Sequence, residues 1–368
     1  MTTTTEPALF RPITLRSTTF RNRLWVPSLT MFASEGRDGV PSPFHFVHLG
    51  GIAAGGAGAI ITESTAVTPE GRVSPHDVGI WSDELRDAWI PIVEFAHSQG
   101  TMIGVQLGHG GRKSATNRSW EPQVGTIAPG EGGWLTVGPS AIAYEGYDVP
   151  RALTLDEVHA TVAAFVDAAR RSLEAGFDFV EIHAAHGFLI HQFLSPLSNR
   201  RRDEYGGSFE NRARFFLEIV EGIRVATDDD FPIVVRVSAT DWVEGGWDEE
   251  QTAAVARLAA AAGADFFDVS TGGLVPDAKI PVFPGYQVQF AERLREAAGV
   301  PTGAVGLILT AHQADDIVAA GRADVVFVGR EFMRDPHFGL RAAAELGLRL
   351  DYHPLPYHRA RFAHTLEG

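Results

Sequence analysis

The sequence predicts an α/β fold, a single (β/α)8 TIM barrel with an N-terminal hairpin and a long lid insertion after its third strand. Three observations carry this expectation. A unit recurs in which a helical stretch ends near glycine and a run of apolar β-formers follows, as in "AGGAGAIITES", "SQGTMIGVQLG", "EAGFDFVEIHA", "AAGADFFDVSTG" and "AAGRADVVFVGR". The glycine supplies a left-handed helix cap. The runs alternate little between apolar and polar residues, which suits parallel strands covered on both faces. With three less regular members the strand–helix alternation repeats eight times, the signature of a barrel. A doubly wound open sheet is the alternative, weakened because no G-x-G-x-x-G follows the first strand.

Taken in order, a hairpin is expected near 13–23, where it plugs the bottom of the barrel. Strands are expected near 24–27, 59–63, 102–107, 179–183, 233–237, 266–270, 302–305 and 325–328, with helices between them. Capping boxes, in which a side-chain oxygen and a later Glu or Gln satisfy free amides reciprocally, are expected at Thr154 with Glu157 and at Thr310 with Gln313. The connection from about 114 to 150 is too long for a simple βα loop, and its Gly, Pro and Trp content reads as a functional lid. Within it "GGWLTVGPSAIAY" suggests an ordered hairpin over the active face. The chain reads as one domain over 1–368, with a C-terminal extension from about 350 to 368.

Composition narrows the function. The formal charge is −15, from 31 basic and 46 acidic residues, which disfavours a nucleic-acid partner because phosphate neutralisation needs a basic surface. There are no cysteines, so disulfides, thiolate nucleophiles and cysteine-ligated metal sites are excluded. "MTTTTEPALFRPITLRS" has no long apolar core for a secretory signal, and no apolar run is long enough to span a bilayer. A soluble cytoplasmic protein without a membrane partner is expected.

Barrel enzymes collect their chemistry at the C-terminal ends of the strands. Those ends hold Ser28, Leu29 and Thr30; Glu63 and Ser64; Gln106, His109, Arg112 and Lys113; His183 and His186; Arg236 and Ser238; Thr271 to Gly273; Gly306; and Gly329 with Arg330. Basic groups, amides and hydroxyls dominate, which suits an anionic or carbonyl-bearing ligand better than a divalent metal. Gly306, Gly329 and Arg330 stand at the last two strands, where backbone amides and a charge-assisted bond from Arg330 suit a phosphate. Tight turns alone would also explain the glycines. His183 and His186 read three ways: as core histidines, as metal ligands with His191, or as paired N–H donors that polarise a carbonyl oxygen, and the third is favoured. Arg236, inside "IVVRVS", implies either an ion pair with Glu63 or Asp241 or a role beside a cofactor that gains negative charge. Lys113 reads evenly as a solvated side chain or as a group doing similar work.

These strings together resemble the Old Yellow Enzyme family of FMN-dependent ene-reductases, and within it the compact bacterial branch with thermostable members. "LFRPITLRSTTFRNRLWVPSLT", "QLGHGGRK", "EIHAAHGFLIHQFLSPLSNRRRDEYGGSFENRARF", "VRVS" and "VFVGREFMRDPHF" carry the resemblance, which runs from about 9 to 359. It implies that Pro27, Ser28 and Thr30 lie against the flavin ring, and that Ser64 and Gln106 bind its pyrimidine edge. It places Arg236 near N1 and O2, and Gly306, Gly329 and Arg330 at the FMN phosphate. His183 and His186 then grip the substrate carbonyl, with Lys113 nearby. Arg359 resembles an arginine that reaches a neighbouring subunit's active site, which implies a homodimer or larger homo-oligomer. Three departures stand out: Thr30 replaces the branch's usual Cys, Phe32 replaces a substrate-contacting Tyr, and Phe188 replaces the proton-donating Tyr.

The expected function is NAD(P)H-dependent reduction of activated C=C bonds by hydride transfer from flavin N5, with NADPH or NADH as reductant. One shared site implies ping-pong kinetics. His183, His186, Lys113 and Thr30 are the candidate catalytic residues; Phe32, His183, His186, Phe188 and Arg359 are the candidate substrate contacts. With no tyrosine at 188, quinone reduction, desaturation or isomerisation on the same flavin are alternatives. A metal-dependent barrel lyase using His183, His186 and His191, and a flavin-binding protein without turnover, are others.

Overall fold

The computed structural model describes residues 6–360. A short antiparallel hairpin, β1 (Ile13–Leu15) and β2 (Thr18–Phe20), leads into the barrel, and the strands then follow in chain order: β3 (Leu24–Val26), β4 (Ala59–Ala66), β5 (Met102–Gly108), β6 (Val137–Gly138), β7 (Arg151–Ala152), β8 (Phe179–Ala184), β9 (Ile233–Ser238), β10 (Phe266–Ser270), β11 (Thr302–Ala304) and β12 (Val325–Phe327). All but the first two and the β6–β7 pair join in one closed parallel barrel, in the order β3-β4-β5-β8-β9-β10-β11-β12 and back to β3. Helices cross between successive strands on the outside, and their inward faces form one continuous apolar core with the strands' outer faces. Among the described residues no helix is long and apolar enough to cross a membrane.

The barrel interior is built in levels, because alternate residues of a strand share a face. A separate apolar cluster fills the end where the strands begin: Trp25, Ile61, Phe179, Val234, Phe266 and Phe327 pack together. Phe20 of the hairpin closes it from below, 4.3 Å from Trp25 between ring centroids, so the expected plug is present. Gly104 and Gly303 make room for these rings. A Cβ on Gly104 would lie 2.3 Å from the Phe179 ring, and one on Gly303 would lie 2.3 Å from Phe327. Two residues further along the strands, the inward positions turn polar: Gln106, Glu181, Arg236 and Asp268, all buried. Above them come His183, Ser238 and Ser270, at the mouth.

Two local expectations need correction. The lid is not a hairpin: Val137–Gly138 pairs with Arg151–Ala152 in parallel, because the chain between them loops back rather than turning tightly. Thr154 and Glu157 form the reciprocal capping box. Thr310 caps its helix by accepting from Gln313 N, but Gln313 Oε1 takes the Leu309 amide instead of returning to Thr310, so that box is only half closed.

The crowding at Gly104 has a measurable consequence. Gly104→Ala should lower the urea midpoint at unchanged slope, a loss of about 1–3 kcal/mol for overpacking. Wild-type stability in this variant would mean that the lower barrel has slack.

Candidate active site

The mouth is shaped by side chains that hold backbone rather than ligand. Glu63 sits at the bulged part of β4, and its Oε2 accepts from Met31 N at 3.0 Å. Its Oε1 lies 2.7 Å from His45 Nε2, and His45 Nδ1 accepts from Ser42 N, which makes His45 Nε2 the protonated nitrogen. This buried relay fixes the segment carrying Thr30 and Phe32, the latter with a positive φ of 52°. Phe32 meets the lid through Trp120, with ring centroids 5.9 Å apart. Arg112 is buried and donates to the carbonyls of Leu274, Ile142 and Ala143, pinning the lid to the loop after β10. Lys113 is not a solvated side chain. Its Nζ donates to the carbonyls of His186 and Gly273, faces the Tyr144 and Phe188 rings, and is brought down to about 8 by burial with Arg112 adding repulsion.

His183 and His186 come together, with ring centroids 5.3 Å apart and near-perpendicular planes. His186 sits at φ +57°, a left-handed conformation disfavoured for a residue with a Cβ. Its amide donates to Ser238 Oγ and its Nε2 lies 2.7 Å from Ser270 Oγ. His183 Nδ1 accepts from Ala185 N at 3.4 Å, which leaves the proton on Nε2. His183 Nε2 and His186 Nδ1 have no hydrogen-bond partner among the described residues. Burial, with Arg236 and Lys113 adding repulsion, holds both rings well below the usual histidine range. Each is therefore a neutral imidazole: His183 has its Nε2–H open, and His186 presents an N–H at Nδ1 in the tautomer where Ser270 turns its hydroxyl from Gln287 Oε1 to Nε2. Phe188 packs against His183 at 4.8 Å. His191 is not part of the pair: its Nδ1 accepts from Gly187 N, and its Nε2 is 3.0 Å from Asp241 Oδ1. The three histidines do not converge as a metal site would require.

The remaining positions gather around the mouth. Ser28 Oγ donates to Gln106 Oε1 at 2.9 Å, and Gln106 Nε2 donates to Glu181 Oε1 at 2.7 Å. Arg236 pairs through Nε with Asp268 at 2.9 Å and donates to Ser28 O. Its partner is neither Glu63, engaged by His45, nor Asp241, engaged by His191 and Ser195. Pro27 is buried and packs close to Gly329, where a Cβ would fall 3.4 Å from it and 3.1 Å from Leu29. Gly306 takes φ +119°, and Gln287 Nε2 stands 3.0 Å from where a Cβ would be, so both backbone and packing favour glycine there. At Gly108 the Ser64 Oγ already stands 2.4 Å from where a Cβ would be, so only glycine lets Ser64 take its place. Arg330 is exposed and makes no hydrogen bond or ion pair with another described residue. The unpaired Arg330 guanidinium beside the half-buried backbone of Gly329 fits a phosphate tail. Arg359 lies elsewhere, exposed in the turn Leu355–Ala360. That segment is tied through Tyr352 to Arg21 and Asn22, at the end of the barrel where strands begin. Residues 361–368 of the expected extension lie outside the described residues.

Sequence reasoning missed Glu181 and Asp268, although each interrupts an apolar strand two residues after an inward core residue, Phe179 and Phe266, as Arg236 does after Val234. It also missed the Ser270–Gln287 contact behind His186 (3.3 Å) and the His45–Glu63 relay.

Residues 8–349 match the NADH:flavin oxidoreductase / NADH oxidase family. An NADPH dehydrogenase of Geobacillus thermodenitrificans is 44% identical over 352 residues, covering 95% of this chain and 98% of that protein. One from Bacillus subtilis is 44% identical over the same shares. The solved structure of morphinone reductase superposes with a TM-score of 0.77 at 30% identity, covering 95% of this chain and 92% of that one.

The buried imidazoles make stability depend on pH. His109, whose Nδ1 accepts from Gly111 N, is pushed down to about 4 by burial. The unfolded chain protonates such rings below about pH 6.5 while the folded chain keeps them neutral, so their contribution is present above that pH and is lost as pH falls toward 4. Stability should drop over this window, with His109 accounting for about 3 kcal/mol. His109→Gln should flatten that part of a urea-midpoint curve taken from pH 7 to 4; an unchanged curve refutes the assignment.

Proposed function

The chain belongs to the NADH:flavin oxidoreductase / NADH oxidase family, the Old Yellow Enzyme family, and on that premise we propose that it binds FMN and uses NAD(P)H to reduce C=C bonds conjugated to a carbonyl. The observation that carries this reading is the pair of neutral imidazoles above a polar barrel floor, each with one nitrogen open. Pro27, Ser28, Thr30, Ser64, Gln106 and Arg236 would hold the ring, and Gly306, Gly329 and Arg330 the phosphate. Bound FMN supplies reversible hydride chemistry.

His183 and His186 donate to the substrate's carbonyl oxygen, as an oxyanion hole does, and so draw electron density from Cβ. Neutral donors suit this task, because they stabilise developing charge without first losing a proton. Lys113 keeps His186 in place by gripping its carbonyl. Arg236 offsets negative charge at the ring's pyrimidine edge. Phe188 has no proton to give, so water or another group supplies the Cα proton. A homodimer or larger homo-oligomer in which Arg359 enters the partner's mouth is supported by its place at the opposite end of its own barrel. Phe188 also favours a second reading, in which quinones are preferred because their reduction places both protons on oxygen.

Two anaerobic measurements test the proposal. His186→Ala should slow enone reduction about 10²–10³-fold while NADPH still bleaches bound flavin at the wild-type rate; equal loss in both half-reactions would sink the donor assignment. Phe188→Tyr should accelerate enone reduction by up to about 10²-fold and leave quinone reduction unchanged. A colourless protein that refuses added FMN overturns the whole reading.

A further inference from the structure

Inside the barrel, the adjacent strands β8, β9 and β10 each turn one charged side chain inward just beneath the mouth: Glu181, Arg236 and Asp268. All three are buried. Two carboxylates therefore face one guanidinium, and a sealed net charge of −1 is costly unless a proton is retained. The hydrogen bonds agree. Glu181 Oε1 accepts from Gln106, but its Oε2 is buried without a donor among the described residues. Asp268 has its ion pair with Arg236, but neither of its oxygens accepts a well-aligned hydrogen bond. Glu181 Oε2 and Asp268 Oδ1, on the strands either side of Arg236, are acceptors short of donors, which a retained acid proton would relieve.

The arrangement also has a direction. Glu181 orients Gln106, whose other end takes the Ser28 hydroxyl; Asp268 orients Arg236, which donates to the Ser28 carbonyl. Both arms end on one residue at the mouth. We propose that Glu181 and Asp268 share one proton, and that this buried acid pair presents Gln106 and Arg236 to the flavin edge and takes up a further proton when that edge becomes negative. The inference rests on the FMN reading above. Both acids are positioning residues, since neither reaches the mouth.

The groups facing the pair are Arg236 from β9, the neutral amide of Gln106 from β5, and, one level up on β8, His183, which is itself kept neutral. Burial pushes Glu181 up to about 8, with Asp268 adding to the rise and Arg236 and Gln106 opposing it. Burial pushes Asp268 up to about 6 against the pull of Arg236. The rise at Glu181 favours retention of a proton at neutrality, and added negative charge above the layer raises both further.

Infrared spectra of the flavin-free protein decide the shared proton. At pH 7 the wild type should show a protonated-carboxyl stretch that weakens as pH rises past 8. Asp77, also buried and pushed up, contributes its own band, so the comparison is the difference from Glu181→Gln, with Asp268→Asn as a second variant. Loss of intensity in either variant is expected; unchanged intensity in both overturns the proposal. With FMN bound, the midpoint potential should fall with pH more steeply in wild type than in Glu181→Gln, because an extra proton accompanies reduction. Parallel lines overturn the linkage. A protein that shows the band but binds no FMN disproves the flavin reading and leaves the shared proton standing, so the two failures are distinct.

Discussion

Everything at the mouth depends on how the lower half of the barrel is filled. Trp25, Phe179, Phe266 and Phe327 occupy the volume that Gly104 and Gly303 vacate, and Phe20 closes it from below. Close-packed aromatics resist deformation. They fix the radius and register of the strands, and register decides which residues become cross-strand neighbours. His183 stands beside Arg236, and Gln106 beside Glu181, because Phe179 is seated two residues before Glu181 and Val234 two before Arg236.

On that base the protein places a layer that most barrel cores lack. A charged level beneath the mouth sacrifices apolar burial, and its carboxylates are costly there. What it provides is orientation: Gln106 and Arg236 have their directions set from below, not by loops. The loops above are held in the same spirit, by side chains gripping backbone. Glu63 holds Met31 N, Arg112 ties the lid to Leu274, and Lys113 ties the β8 loop to Gly273. The mouth is thus held by the protein's own side chains, and donors fixed in this way are the usual source of electrostatic stabilisation in enzymes.

The substitution of phenylalanine at 188 fits this frame without disturbing it. Its ring packs on His183 and beneath the Lys113 ammonium as an aromatic of either kind would. The grip on a carbonyl oxygen and the supply of a proton are separable tasks; under the proposed function His183 and His186 would perform the first, and Phe188 brings no hydroxyl to the second.

How much was legible beforehand follows from the range of each interaction. The eight barrel strands, the N-terminal hairpin and the Thr154 cap were readable because they rest on neighbours in the chain: glycine caps, apolar runs and side chains three residues from the amides they satisfy. The strand-end set was readable because barrel topology sends those ends to one face. Partner choice was not. Arg236 meets Asp268 instead of Glu63 or Asp241, His191 turns to Asp241 instead of joining a metal site, Gln313 caps Leu309, and the lid pairs in parallel. Each of these contacts depends on which strand lies beside which and at what register, or on how a long loop folds back. The sequence by itself determined the barrel and the residues that line its rim, because those follow from local pattern and fixed topology. Only the tertiary structure decided which charges meet, because closing the barrel sets the distances between side chains remote in sequence, and distance sets the strength of an ion pair.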